Sequence, residues 1–244
     1  MLSSKMKEVC IADAPHRSGV DRSQINTTIY RHRWEQRELA NVEKVWQVLA
    51  HDYFQPMIGP ADHVLDIGCG FCHFLNNIAA GERVGVDANP EAANHAREGV
   101  RFVRSADLAL PELPSGHFDF VFISNFLEHL DSSKDVLSLL GRVRELLSPS
   151  GRVVILQPNF RLLGHRYFDF IDHKTVLTDK NLAEALECSG FTILMKRVRF
   201  LPYTTKSRLP MHPLLVRMYL KCSAAQWLMG KQSLFVASPA PTSE

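Results

Sequence analysis

From His63 to Gln157 the chain alternates short runs rich in β-branched and aromatic residues with longer amphipathic segments, and that alternation restricts the fold more than any other feature. Units of this kind build a parallel sheet with helices on both faces. Strands are expected at His63–Ile67, Arg83–Asp87, Val100–Arg104, Phe118–Ser124 and Arg152–Gln157. Helices are expected at Phe71–Ala80, Pro90–Glu98, Ser132–Leu147 and Asp179–Ser189, with Pro90 suited to a first helical turn and Gly190 to a helix end. After Gly190 the alternation breaks, leaving two strands, Phe191–Phe200 and Gln232–Ala237, around a segment of another character.

With 244 residues and 45% hydrophobic content, the chain can bury the core of one α/β domain with an appendage. Five segments follow from pattern: a polar tail (1–25), a helical prelude (26–59), the core (60–200), a basic amphipathic insertion (201–231), and a last strand with its tail (232–244). A formal charge of +2 gives no overall bias toward nucleic acid or lipid, so any such preference must be local. The N-terminus has no signal-peptide run and no stretch reaches membrane-span length, which gives a cytoplasmic expectation. Cys10, Cys69, Cys72, Cys188 and Cys222 form no secreted disulfide framework and read as reduced thiols.

Two readings compete for Val64–His73, VLDIGCGFCH. Its Cys69-Gly-Phe-Cys-His73 fits a c-type haem attachment pattern, which needs an exported chain. Asp66-x-Gly68-x-Gly70 instead fits a glycine turn in which backbone N–H groups approach a nucleotide-like ligand. Asp87, about twenty residues on at the end of the next strand, favours the turn, because an acidic side chain there can accept from both hydroxyls of a ribose. A dinucleotide turn wants a third glycine where this chain has His73, which counts against a nicotinamide oxidoreductase.

Four ordered blocks, VLDIGCG (64–70), GVDANP (85–90), SADLALPELPSGHFDFVFISNFLEHL (105–130) and LLSPSGRVVILQPN (146–159), resemble the class I S-adenosylmethionine-dependent methyltransferases. The resemblance implies a Rossmann-like α/β fold with a seven-stranded, mostly parallel sheet whose last strand is antiparallel, and S-adenosyl-L-methionine as cofactor. By the same resemblance Asp66, Gly68 and Gly70 line the methionine part, Asp87 holds the ribose, and Asp107 accepts from the adenine amino group. The backbone at Ser124 and Asn125 faces the methionine ammonium, and Tyr30 or Arg33 in the prelude reaches its carboxylate. The family's turn usually has a third glycine at position 72. Cysteine fits there if its φ is negative and is strained if φ must be positive.

Acceptor chemistry is expected beyond the fourth and fifth strands, where Glu128, His129, His165, Tyr167, Asp169, Asp172 and His173 cluster in sequence. Asp172-His173 reads as an acid–base pair, the carboxylate orienting the imidazole, while His129 also suits packing beneath the cofactor. Asp169, Asp172 and His173 have no firm metal-ligand spacing, so no metal is expected. A small-molecule or lipid-linked saccharide hydroxyl is the expected acceptor. The alternative, a non-catalytic module of the same fold, sits poorly with intact Asp66, Gly68, Gly70 and Asp87. No Asn/Asp-Pro-Pro-Tyr motif follows the fourth strand, so nucleic acid is not the expected partner. Residues 203–231 contain five Lys or Arg and no acidic residue among Leu, Met and Trp, a pattern that admits a lid or contact with the inner membrane surface.

Overall fold

A computed structural model describes residues 36–203 and 212–241. Seven strands, β1 (His63–Ile67), β2 (Glu82–Asp87), β3 (Val100–Arg104), β4 (Phe118–Ser124), β5 (Leu147–Pro158), β6 (Phe191–Leu201) and β7 (Gln232–Pro239), form one sheet in the order β3-β2-β1-β4-β5-β7-β6. The first five are parallel, and β7 runs antiparallel between β5 and β6. The strand order reverses between β1 and β4, which opens a crevice at their C-terminal ends.

Side-chain alternation divides the core into two layers. Leu65, Ile67, Val121, Ile123, Val153 and Ile155 face one side. There they meet Val136, Leu139, Leu140 and Val143 of α2 (Ser133–Leu146), and Leu182 and Leu186 of α4 (Asn181–Cys188). Val64, Phe120, Phe122, Val154 and Leu156 face the other side, where Leu49, Ala50, Phe54 and Phe74 cover them. Those covering residues include the π-helical turn Leu49–Phe54 at the end of α1 (Gln36–Val48), so the described part of the prelude is packed onto the sheet. Ser132 caps α2 by accepting from the Asp135 amide while its hydroxyl donates to the Asp135 carboxylate. A short α3 (Phe160–Leu163) follows β5, and α5 (Pro213–Lys221) and α6 (Ser223–Met229) lie between β6 and β7.

Two expected helices do not form. Phe71–Ala80 holds only a 3-10 turn at Leu75–Asn77, and Pro90–Glu98 only a 3-10 segment at Pro90–His95. Polar side chains take the backbone groups that a helix would have used. The Asn76 amide donates to His95 O and accepts from Arg97 N, Asn77 donates to His73 O, and the Gln55 side chain brackets Ala79. The backbone amides after β1 therefore act as a turn and not as the end of a long helix dipole.

Candidate functional site

Beyond β1 the chain must turn sharply, and its glycines supply the backbone angles. Gly68 and Gly70 adopt φ of 76° and 49°, and the amides of Gly68 and Cys69 donate to Val86 O, tying the turn to β2. The two oxygens of Asp87 accept from Gly70 N at 2.9 Å and Asn89 N at 2.8 Å. One carboxylate thus fixes the glycine turn and the following loop together, with a further lone pair on each oxygen for a ligand diol.

The crevice is lined by Asp66, Gly68, Cys69, Ser124 and Asn125, with Trp46, His73, Phe74 and Phe122 completing a largely aromatic wall, and it is partly open to solvent. Asp66 is 3% exposed, and burial, then Cys72 and Asp87, hold its carboxyl well above the usual range. Burial also raises Asp87, though the amides of Asn89, Gly70 and Ala88 pull it back. Two strained acids near one crevice complement a cationic ligand. Asn125 turns the chain at φ 49°, a conformation that asparagine tolerates, and its amide donates to Leu156 O of β5.

Asp107 lies exposed in the loop after β3, where its carboxylate accepts from Ala109 N. This Asx turn sits beside Asp87, whose carbonyl accepts from Ser105 N. Tyr30 and Arg33 lie outside the described residues. Sequence reading missed His73 as part of the wall. Glu43 of α1 holds it through Nδ1, while its buried Nε2 has no partner. Burial keeps the ring's proton affinity below normal despite that carboxylate.

Cys72 has φ 54°, the strained alternative, with its side chain fully buried in the second core layer. Its Sγ lies 3.7 Å from Cys69 Sγ. Cys72→Gly relieves a left-handed strain of about 1–2 kcal/mol but forfeits comparable packing, so stability should change by no more than about 1 kcal/mol. Cys72→Val, β-branched at positive φ and overpacked, should lose about 2 kcal/mol or more. Urea denaturation measures both; a harmless valine would remove the strain argument.

The loops beyond β4 and β5 meet in a second group of side chains. Lys174 N and Thr175 N both donate to Glu128 O, at 2.8 and 3.1 Å, and Thr175 Oγ1 donates to Leu130 O. This lock brings His173 to Glu128 and not under the orientation of Asp172. His173 Nε2 is 3.9 Å from Glu128 Oε1, whereas Asp172 uses its carbonyl (3.0 Å) and carboxylate (3.4 Å) on His129 Nδ1. The short contacts of Asp172 go to His129, while its charge still favours the protonated His173 ring, and Glu128 stands 3.9 Å from that ring as another carboxylate neighbour. Tyr167 is buried with its hydroxyl donating to Thr175 O, a structural role, and His165 and Asp169 are exposed.

A family profile described as a methyltransferase domain matches residues 30–196, more than half of the chain. A ribosomal protein L11 methyltransferase of Ralstonia pickettii is 32% identical over 112 residues. That match spans 44% of this chain and 36% of the relative, so the chain corresponds to about a third of that protein's length. A crystal structure of an S-adenosylmethionine-dependent methyltransferase from Archaeoglobus fulgidus aligns over 87% of this chain and 98% of its own, at 22% identity and a TM-score of 0.58. Another from Mesorhizobium loti aligns over 76% and 95%, at 20% identity and a TM-score of 0.57.

Proposed function

This chain belongs to the class I S-adenosylmethionine-dependent methyltransferases, and on that premise we propose that it methylates a hydroxyl of a small molecule or lipid-linked saccharide. The observation that carries the acceptor reading is the ionisable group Glu128, His129 and His173 at the ends of β4 and β5, beside the crevice end marked by Asn125. A sulfonium methyl carbon is already electrophilic, so alignment supplies much of the acceleration. An oxygen acceptor must also lose its proton, and this group would assist. Asp66, Gly68, Gly70, Ser124 and Asn125 would hold the methionine part, Asp87 the ribose and Asp107 the adenine. An acceptor screen with methyl-labelled cofactor and product mass determination tests the reading. Label entering only protein would replace it with a protein acceptor, the class named in the Ralstonia relative, and no cofactor turnover would leave a binding module.

The cofactor's positive charge gives a pH signature. Asp66, raised in the ligand-free protein, is neutral at low pH and ionises as pH rises; the ionised form attracts the cation. Cofactor affinity should therefore climb with pH from the ordinary carboxylate range upward, with proton release on binding below the raised value. Calorimetry in buffers of different ionisation enthalpy measures that release. A flat profile in the wild-type chain, or a rise with pH that persists in Asp66→Asn, would refute the assignment.

A second contact is proposed for the insertion. Leu214, Leu215, Met218, Trp227 and Leu228 are exposed on α5 and α6, while Tyr219 anchors α5 by donating to Phe200 O. Among the described residues no helix is long and apolar enough to cross a membrane. The 203–231 sequence holds five basic and no acidic residues, and among the described ones Lys221 is exposed on α5 while Arg217 bonds Asp52, so this segment suits an anionic lipid surface. Vesicle flotation should show binding that needs anionic lipid and falls about tenfold or more in Trp227→Ser/Leu228→Ser; binding indifferent to both would sink it.

A further inference from the structure

We propose that Glu128, His129 and His173 form a binding site for one divalent transition-metal cation. Glu128 and His129 sit in the 3-10 turn Leu127–His129 that follows β4, and His173 sits in the loop beyond β5. Glu128 Oε1 is 3.9 Å from His129 Nε2 and 3.9 Å from His173 Nε2, and the three ligand atoms lie within 4.8 Å of one another. A cation with bonds of about 2.0–2.2 Å separates its ligand atoms by roughly 3.0–3.5 Å, so small side-chain rotations close the set.

The neighbours of Glu128 and His129 are arranged as metal sites require. A ligating imidazole normally gives its other nitrogen to a carbonyl or carboxylate, which fixes tautomer and ring plane. His129 does so through Nδ1 to the carbonyl and carboxylate of Asp172, leaving the Nε2 lone pair on the Glu128 side. Glu128 Oε2 accepts from Gln157 Nε2 at 2.8 Å, which leaves Oε1 for the imidazoles. His173 is oriented by ring packing instead, with Tyr167 edge-on at 5.0 Å between ring centres and Phe170 stacked at 5.3 Å, while its buried Nδ1 has no hydrogen-bond partner among the described residues.

Charge and unmet hydrogen bonding point the same way. Glu128 is 1% exposed, and among the described residues no Lys or Arg forms an ion pair with it. A buried carboxylate facing two imidazoles, with no fixed positive charge, is costly unless a cation joins it. Gln157 is also 1% exposed and its Oε1 has no partner, so an acceptor awaits a proton donor such as a metal-bound water or hydroxyl.

A second histidine-carboxylate cluster shows what such a site is not. His63, Glu82 and His117 gather at the opposite end of the sheet, but the two imidazoles stack at 4.3 Å with planes 3° apart. Parallel rings send their in-plane lone pairs side by side, not to one point. His117 Nε2 is already bonded to Glu82 Oε2 at 2.6 Å.

Two nitrogens and one carboxylate oxygen suit Zn²⁺, Mn²⁺, Fe²⁺ or Co²⁺, and not the all-oxygen shells of Ca²⁺ or Mg²⁺. Open positions on such an ion would take the acceptor hydroxyl and lower its pKa. The hydroxyl proton goes to solvent, the oxygen bonds the methyl carbon, and the breaking carbon–sulfur bond leaves its electron pair on sulfur as a neutral thioether. This last step rests on the hydroxyl-acceptor reading above; cation binding does not.

The test uses the full chain, stripped with EDTA and dialysed. Titration with Co²⁺ should give visible absorption saturating at one equivalent, bleached by Zn²⁺, with Mg²⁺ competing weakly. Glu128→Gln and His173→Ala should lose more than the 10- to 100-fold typical of losing an outer partner, while keeping S-adenosylhomocysteine binding by calorimetry. His117→Ala should titrate as wild type. A wild-type chain that binds no Co²⁺ or Zn²⁺, or ligand variants that bind as wild type, would overturn the site. If the cation binds as expected while only protein is methylated, the site stands and the hydroxyl reading falls.

Discussion

Asp87→Ala should abolish useful binding of S-adenosylmethionine while leaving the chain folded. Its two oxygens already accept from Gly70 N and Asn89 N, so the side chain shapes the turn before any ligand arrives. The ribose hydroxyls would then add two bonds to a charged acceptor, each worth about 1.5–3 kcal/mol. Losing both corresponds to about 100-fold or more in dissociation constant, before counting any slackening of the turn. Asp87→Asn should be nearly as damaging: its amide keeps one acceptor and turns a donor toward Gly70 N or Asn89 N. Calorimetry with S-adenosylhomocysteine measures both, alongside circular dichroism. A dissociation constant within threefold of wild type in Asp87→Ala would remove Asp87 from the cofactor site.

The sheet was largely legible because its signals are local. β1, β3 and β4 have the expected bounds, each a buried or half-buried run closed by turn residues. β5 begins five residues earlier than expected because Leu147 pairs with Phe118 across a register shift, a long-range event with no local mark. The absent helices after β1 and β2 have the same origin: amphipathic spacing was present, but Asn76 and Gln55 formed bonds to distant segments. The Asp66 to Gly70 turn and Asp87 could be read from spacing, since the strand-turn-strand unit fixes their proximity. The partners of His173 could not. Adjacency suggested Asp172, whereas the observed neighbour, Glu128, arrives through the backbone lock between Glu128 O and the amides of Lys174 and Thr175. Trp46 falls in the expected helical prelude and Phe122 in the expected fourth strand, and it is the packing of α1 on the sheet that brings Trp46 against Phe122 at the crevice.

Gly68→Ala should be strongly damaging. At φ 76° an L-residue pays about 1–2 kcal/mol, and the added Cβ would stand 2.4 Å from Phe126 Cδ2 and 2.8 Å from its Cγ. Overpacking of that kind costs about 1–3 kcal/mol more, so a loss of about 2–5 kcal/mol is expected. Phe126 cannot yield without consequence. It packs against the first core layer and stands two residues before Glu128, so its displacement carries the crevice wall and the Glu128 cluster with it. Cofactor affinity should therefore fall together with stability. Gly116→Ala separates the two causes, because Gly116 has φ 66° but nothing within 4 Å of an added Cβ. It should pay only the backbone cost and leave cofactor binding unchanged. If urea denaturation and calorimetry show the two variants to be equal, the close approach of Phe126 to the turn does not govern this site.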